Sequence, residues 1–228
     1  VYWPASEVYL KCAYIDLQSN HLKDALKDSD RALDYALKAE NPNRQRQALH
    51  IKGLTLIQMG EIDACLKIMD ELNGLVRDSH NPDNMHYIHH LQGEIKLKKK
   101  DYAGAIELFQ KALSLQSSDP RNKHADYLES LAEAYYHLGD MDKTQEQYER
   151  ILSLSTGRLD YGDIYALSYY SLGKIFQQKD WKGKAIEHYE KFLDLWKDAD
   201  PGIPEVEDAR KKLAELKDTA LIKQQKVI

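Results

Sequence analysis

Along this chain apolar residues recur at helical spacing between short polar breaks. Ala105, Ile106, Leu108, Phe109, Ala112 and Leu113 fall at i, i+1, i+3, i+4, i+7 and i+8, a wide apolar stripe on one helix. Leu128, Leu131, Ala132 and Tyr135 repeat the pattern further on. No sustained alternation with β-branched enrichment occurs, so the pattern predicts helices and no strands. The longer breaks are Glu40-Asn41-Pro42-Asn43, His80-Asn81-Pro82-Asp83, Ser118-Asp119-Pro120 and Thr156-Gly157, where proline stops one helix or opens the next.

The small residues within these helices echo one another. Ala13/Ala25/Ala32, Gly53/Cys65/Leu72, Gly93/Ala105/Ala112, Ala132/Thr144/Ile151 and Gly173/Ala185/Phe192 share a 12-then-7 spacing, and their first members lie 40, 40, 39 and 41 residues apart. A period of this length signals units that bury their apolar faces against their neighbours. Seven residues after each first member falls a turn, at Asn20, Gly60, Lys100, Gly139 and Asp180; Gly60 and Gly139 suit a left-handed helix cap and Asn20 tolerates one. Each unit therefore reads as a helical hairpin, helix A then helix B, over about 5–39, 43–77, 82–116, 121–155 and 160–197. Glycine or alanine at a close helix crossing lets the backbones approach while larger residues fill the flanks. Beyond Pro204, Val206, Ala209, Leu213 and Leu216 share one face of a further helix, over 204–219, with a fraying tail at 220–228.

The spacing Gly93…Tyr102…Ala105…Phe109…Ala112 resembles the tetratricopeptide repeat, as do Ala132…Tyr135…Gly139…Tyr148 and Leu172-Gly173…Phe176…Ala185…Tyr189. The resemblance covers residues 5 to about 197 in a long-repeat form; it is weakest in the second unit, where Cys65, Met69 and Leu72 fill the second-helix slots. It implies an all-α fold, an α-α superhelix of five hairpins closed by a C-terminal capping helix. It also implies a concave face lined by A helices that grips a protein or peptide. Carried over residue by residue, that face comprises Leu10 and Tyr14, His50 and Leu54, and Tyr87, His90 and Glu94. The later units add Asp126, Glu129, Glu133, Tyr136 and His137, then Tyr170, Lys174 and Gln178. Family members that clamp a chaperone's C-terminal carboxylate need Lys and Asn there, and that clamp is missing. The stretch from Tyr189 to Pro201 is similar to the ends of arrays in bacterial kinases, cyclases and transcription regulators. A sensory segment of such a larger protein is therefore the alternative to a free-standing scaffold.

Composition narrows the partner more than the fold. The 228 residues carry a net charge of −5, which argues against direct nucleic-acid contact. No apolar run reaches the roughly 18 residues of a membrane span. Cys12 and Cys65 sit at recurring interior positions and read as buried free thiols in a reducing, cytoplasmic setting. The chain opens without methionine, as expected of a piece of a larger protein. There is no Gly-x-Ser-x-Gly elbow, phosphate-cradling glycine loop, Cys-x-x-Cys or His-Glu-x-x-His, so the expectation is a non-enzyme without cofactor or metal. His86, His89 and His90 share a helix without a completing ligand and read as partly exposed polar positions, and the run Lys96, Lys98, Lys99, Lys100 as a solvated helix end. Asp126, Glu129 and Glu133, with Glu94, outnumber Lys174 on the implied binding face. The expected partner is thus a protein or peptide, basic and aromatic in character, its apolar side chains resting on Tyr87, Tyr136 and Tyr170. The sequence leaves oligomeric state open.

Overall fold

A computed structural model describes residues 2–115, 125–154 and 161–225, with side chains between residues 4 and 218. The hairpin limits at 116, 121, 155 and 160 and the breaks at 118–120 and 156–157 lie outside the described residues, as does the end of the tail. The described residues form α-helices and one 3-10 turn, in two units divided between Ser117 and Ser118.

The first unit holds α1 (Tyr2–Gln18), α2 (Leu22–Lys38), α3 (Pro42–Met59), α4 (Ile62–Asp78), a 3-10 turn at Pro82–Met85, α5 (His86–Lys98) and α6 (Tyr102–Leu115). Sequential pairs pack as hairpins, and α3 and α5 each pack back on the A helix before them. The second unit holds α7 (Ala125–Leu138), α8 (Met141–Ser153), α9 (Gly162–Gln178), α10 (Lys182–Leu195) and α11 (Pro204–Gln225). Here α7 pairs with α8, α9 with α10, and α11 packs on α10.

Local chemistry explains the boundaries. The Asn41 side chain accepts a hydrogen bond from the Arg44 N–H at 3.1 Å and Pro42 opens α3; Asp140 caps α8 in the same way through Lys143. At every described A-to-B turn a single residue turns left-handed: Asn20 (φ 59°), Gly60 (82°), Lys100 (63°), Gly139 (85°) and Asp180 (56°). Each closes the same pair of cap bonds. In the third hairpin Lys100 N–H donates to Leu97 O and Asp101 N–H to Lys96 O, the six-to-one and five-to-two pattern that satisfies the last carbonyls of a helix.

The crossings follow the small residues. In α2 the buried set is Ala25, Ser29, Ala32 and Ala36, a narrow stripe that lets α1 and α3 approach. A Cβ on Gly93 would lie 2.4 Å from Phe109, and one on Gly173 2.8 Å from Tyr189, so in both hairpins an aromatic of helix B occupies the space above the glycine. The second hairpin differs: a Cβ on Gly53 would meet Leu91 of the next A helix at 2.9 Å. There Cys65, Met69, Leu72 and Val76 of α4 join Leu49, Leu56, Ile88 and Leu91 in one core cluster.

Two expectations are corrected. Cys65 is fully buried, and burial pushes its thiol up to about 11, but Cys12 is only half-buried. The last helix also extends past the expected limit at 219; its backbone runs on to Gln225. Its inner face, Val206, Ala209 and Leu216, is buried with Tyr189 and Phe192 of α10.

Candidate binding face

The A-helix positions picked from the sequence divide by unit. In the first, Leu10, His50, Tyr87 and His90 are buried, at 5, 6, 9 and 1% exposure. Tyr14 and Glu94 are half-buried. Burial of His90 overturns the expectation of a partly exposed polar position. Its physical reason is the partner that the repeat brings to it: His50 Nε2 lies 2.9 Å from His90 Nδ1, one full period away in sequence. The imidazoles lie 5.1 Å apart, the His50 ring packs 5.1 Å from Tyr87, and His90 packs 5.6 Å from Phe109.

Electrostatics keep this pair neutral. Burial, then the neighbouring His90 and His86, holds His50 well below the usual histidine range; burial and then His86 lower His90 to about 3. His90 Nε2 faces Glu94 Oε1 at 3.6 Å. The tautomer that fits puts the His90 proton on Nε2, toward Glu94, and lets His90 Nδ1 accept from His50 Nε2–H. The two rings thus pair with each other inside the fold. Among the described residues, no group of three or more His, Cys, Asp or Glu side chains is arranged to hold a metal ion.

The second unit presents the same positions differently. Asp126 and Glu129 are half-buried on α7, and Glu133, Tyr136 and His137 are exposed. Glu133 Oε1 lies 3.6 Å from His137 Nε2. From α8, Tyr148 enters the group: burial and the charges of Glu129 and Glu133 push its hydroxyl above the ordinary tyrosine range, against a hydrogen bond with Ser171. From α9, Tyr170 donates to Asp208 Oδ2 of α11 at 2.8 Å, its ring 5.4 Å from Phe192, with Lys174 Nζ 5.1 Å from its centroid. Burial, then Asp208 and Glu205, raises the Tyr170 hydroxyl in turn, and Tyr136 acts on both tyrosines. The structure thus gathers Glu129, Glu133, Tyr136, Tyr148, Tyr170 and Lys174 with Glu205 and Asp208 of the last helix. Sequence reasoning missed Tyr148, Glu205 and Asp208. Tyr148 stands at an aromatic position of the repeat, and Glu205 lies in the first turn of α11, where an acid favours the helix in any case; only the 38-residue spacing of Tyr170 and Asp208, close to the period, hints at the contact.

Comparison with known proteins places this geometry. A tetratricopeptide repeat profile matches residues 86–119 and a second matches 123–198. A TPR repeat-containing protein of Methanocaldococcus jannaschii is 36% identical over 81 residues, 36% of this chain; the match spans only 13% of that relative. Among solved structures, BtubC (BKLC) from P. vanneervenii superposes with a TM-score of 0.66 at 16% identity, covering 87% of this chain and 84% of that one. A Signal Transduction ATPase with Numerous Domains from Pyrococcus horikoshii, with a tetratricopeptide repeat sensor, superposes with a TM-score of 0.57 at 16% identity, covering 92% of this chain and 31% of that one. Among the described residues no helix is long and apolar enough to cross a membrane. The chain thus carries tetratricopeptide repeats over residues 86–119 and 123–198, and its described residues form an all-α fold of repeated helical hairpins.

Proposed function

We propose that the chain is a non-catalytic scaffold that binds a basic, aromatic-bearing peptide segment of a partner protein on the α7/α9 face. Its repeats are those of protein-interaction scaffolds. The observation that carries the finer reading is the ring of acids acting on two tyrosines: Glu129 and Glu133 on Tyr148, Asp208 and Glu205 on Tyr170. Lysine or arginine side chains would be drawn to these carboxylates, and their stems and neighbouring rings would rest on Tyr136, 37% exposed. The first unit's row, closed by the His50–His90 bond, contributes shape and stability rather than ligand contacts.

Calorimetric titration with a synthetic peptide alternating arginine and tyrosine, and with its glutamate counterpart, tests the reading. The arginine peptide should bind, weaken as salt rises, and lose about tenfold in affinity when Glu129→Lys and Glu133→Lys are combined. Equal affinity for the two peptides, or no response to charge reversal, would overturn it. A second reading, a sensory segment of a larger regulator, draws support from the match that occupies 13% of a much longer relative. The polypeptide encoded around these residues discriminates the two.

A further inference from the structure

Among the described residues, no other A helix leaves its outer stripe exposed as α1 does. Val8 is 56% and Ile15 61% exposed, with half-buried Cys12 between them at i+4 and i−3 on the same face. One period on, the positions of Val8 are Ala48, Ile88, Tyr127 and Ser168, at 0, 5, 3 and 0% exposure. Those of Ile15 are Thr55, Ile95, Ala134 and Ile175, at 0, 8, 0 and 2%.

Within the first unit the structure shows what covers this stripe. Ala48 is buried in one cluster with Leu10 of α1 and Ala32 of α2. Lys52, at the position of Cys12, reaches back to Asp30 of α2 at 2.6 Å. Ile88 and Ile95 share a cluster with Cys65, Met69 and Leu72 of α4. The covering element is each time the helical hairpin that comes before in the chain. Among the described A helices only α1 leaves the stripe bare, and Val8 and Ile15 are aliphatic where solvent would favour polar residues.

We propose that the Val8–Cys12–Ile15 stripe is a docking surface for one further helical hairpin of the same repeat kind, lying ahead of α1 in the native polypeptide. Continuity with the α2–α3 and α4–α5 interfaces selects this occupant. A second copy docking head-to-tail is disfavoured, because α11 turns Val206, Ala209 and Leu216 inward and, over its described side chains up to residue 218, shows Glu207, Arg210, Lys211, Glu215 and Lys217 to solvent. A symmetric α1–α1 contact would rest on two large aliphatic side chains per copy, far short of the roughly 1,200 Å² of a stable interface.

Maleimide labelling of Cys12 tests this, in residues 1–228 and in the polypeptide isolated from its source. Cys65 serves as the silent control, being fully buried. Cys12 should label at the rate of an accessible thiol in residues 1–228, and at least about tenfold more slowly in the native polypeptide. Val8→Glu combined with Ile15→Glu should restore fast labelling there and lower its melting temperature, while leaving the melting of residues 1–228 unchanged. Equal labelling rates in the two proteins would overturn the proposal. So would a native polypeptide with no helical hairpin before α1, or slow labelling in residues 1–228 accompanied by twice the monomer mass in light scattering.

Discussion

The row of α3 and α5 and the row of α7 and α9 stand at the same repeat positions and are put to opposite uses. In the first unit two imidazoles hydrogen-bond each other inside the fold, and the nearest acid, Glu94, serves one of them. In the second unit acids from α7 and α11 face tyrosines from α8 and α9, and part of the group stays open to solvent. A repeat position therefore decides which residues meet, and the residue types decide whether the meeting closes a core or leaves a surface. Small residues at the crossings are common to both units. The chemistry laid over them is not.

The largest effect is expected where the shared crossing is broken. Gly93→Leu drives a side chain into Phe109, whose ring would lie 2.4 Å from the first added carbon, and Phe109 also supports His90. Overpacking of this kind costs about 3 kcal/mol, and Ala105→Leu on the facing helix should cost a similar amount. Glu107→Ala, on the exposed side of α6, should stay within about 0.5 kcal/mol. Gly53→Ala should be milder than Gly93→Ala, because the flexible Leu91 side chain can shift where the Phe109 ring cannot. Thermal melts of the five variants rank these outcomes; equal shifts for Gly93→Leu and Glu107→Ala would refute the assigned faces.

Acid should separate the two units next. Unfolded histidine titrates near 6.5, whereas folded His90 is lowered to about 3. Between those values the unfolded chain binds the proton and the folded chain does not. Stability is therefore full above pH 6.5 and falls as the pH drops, by about 2 kcal/mol at pH 5 for one such group. His50 shifts in the same direction. Amide exchange at pH 5 should show α3 and α5 losing protection while α7 and α9 keep theirs, since the described part of the second unit buries no histidine. Replacing both His50 and His90 by leucine should flatten the pH dependence, whatever it does to stability at pH 7.

Legibility in the sequence follows the same division. The hairpins, the turn positions from Asn20 to Asp180 and the crossings at Gly93 and Gly173 repeat down the chain, so a single strand of letters displays them. The His50–His90 bond was also spelled out, as two histidines exactly one period apart would be in any stacked repeat, but each was read on its own helix. Asp208 was harder. It belongs to α11, which breaks the period, and its contact with Tyr170 depends on how that helix lies on α10. Cys12 misled for a related reason: the repeat puts it at a position that packs elsewhere, yet α1 lacks the neighbour.

Removing one hydroxyl probes the second unit's row with a smaller perturbation. Tyr170→Phe deletes the 2.8 Å bond to Asp208 and keeps the ring against Phe192. Asp208 retains Lys212 at 3.9 Å and stays partly solvated, so the loss should be about 1 kcal/mol. It should appear as faster exchange in α11 and leave α7 unaffected. Faster exchange in α3 or α5 instead would contradict the local role given to this bond.

The smallest effect concerns what the two units share. Lys100 and Asp180 hold the same left-handed turn that Gly60 and Gly139 adopt freely, at φ values of 63° and 56°. A side chain with a Cβ pays about 1 kcal/mol for that conformation, and asparagine pays less because its short polar side chain tolerates it. Glycine would relieve the strain too, but it adds freedom to the unfolded chain and offsets part of the gain. Lys100→Asn should therefore stabilise the first unit by about 0.5 kcal/mol, and Asp180→Asn the second by a similar or smaller amount. The cap bonds from residues 100 and 101 to Leu97 O and Lys96 O involve only backbone and survive the change. Lys96 also keeps its ion pair with Asp101, so the substitution removes only the exposed ammonium of Lys100 itself from that loop. A stabilisation in both units would mark the turn as the common element beneath two different faces; destabilisation at Lys100 alone would mean that this cation has a role at the end of α5 which its turn geometry does not reveal.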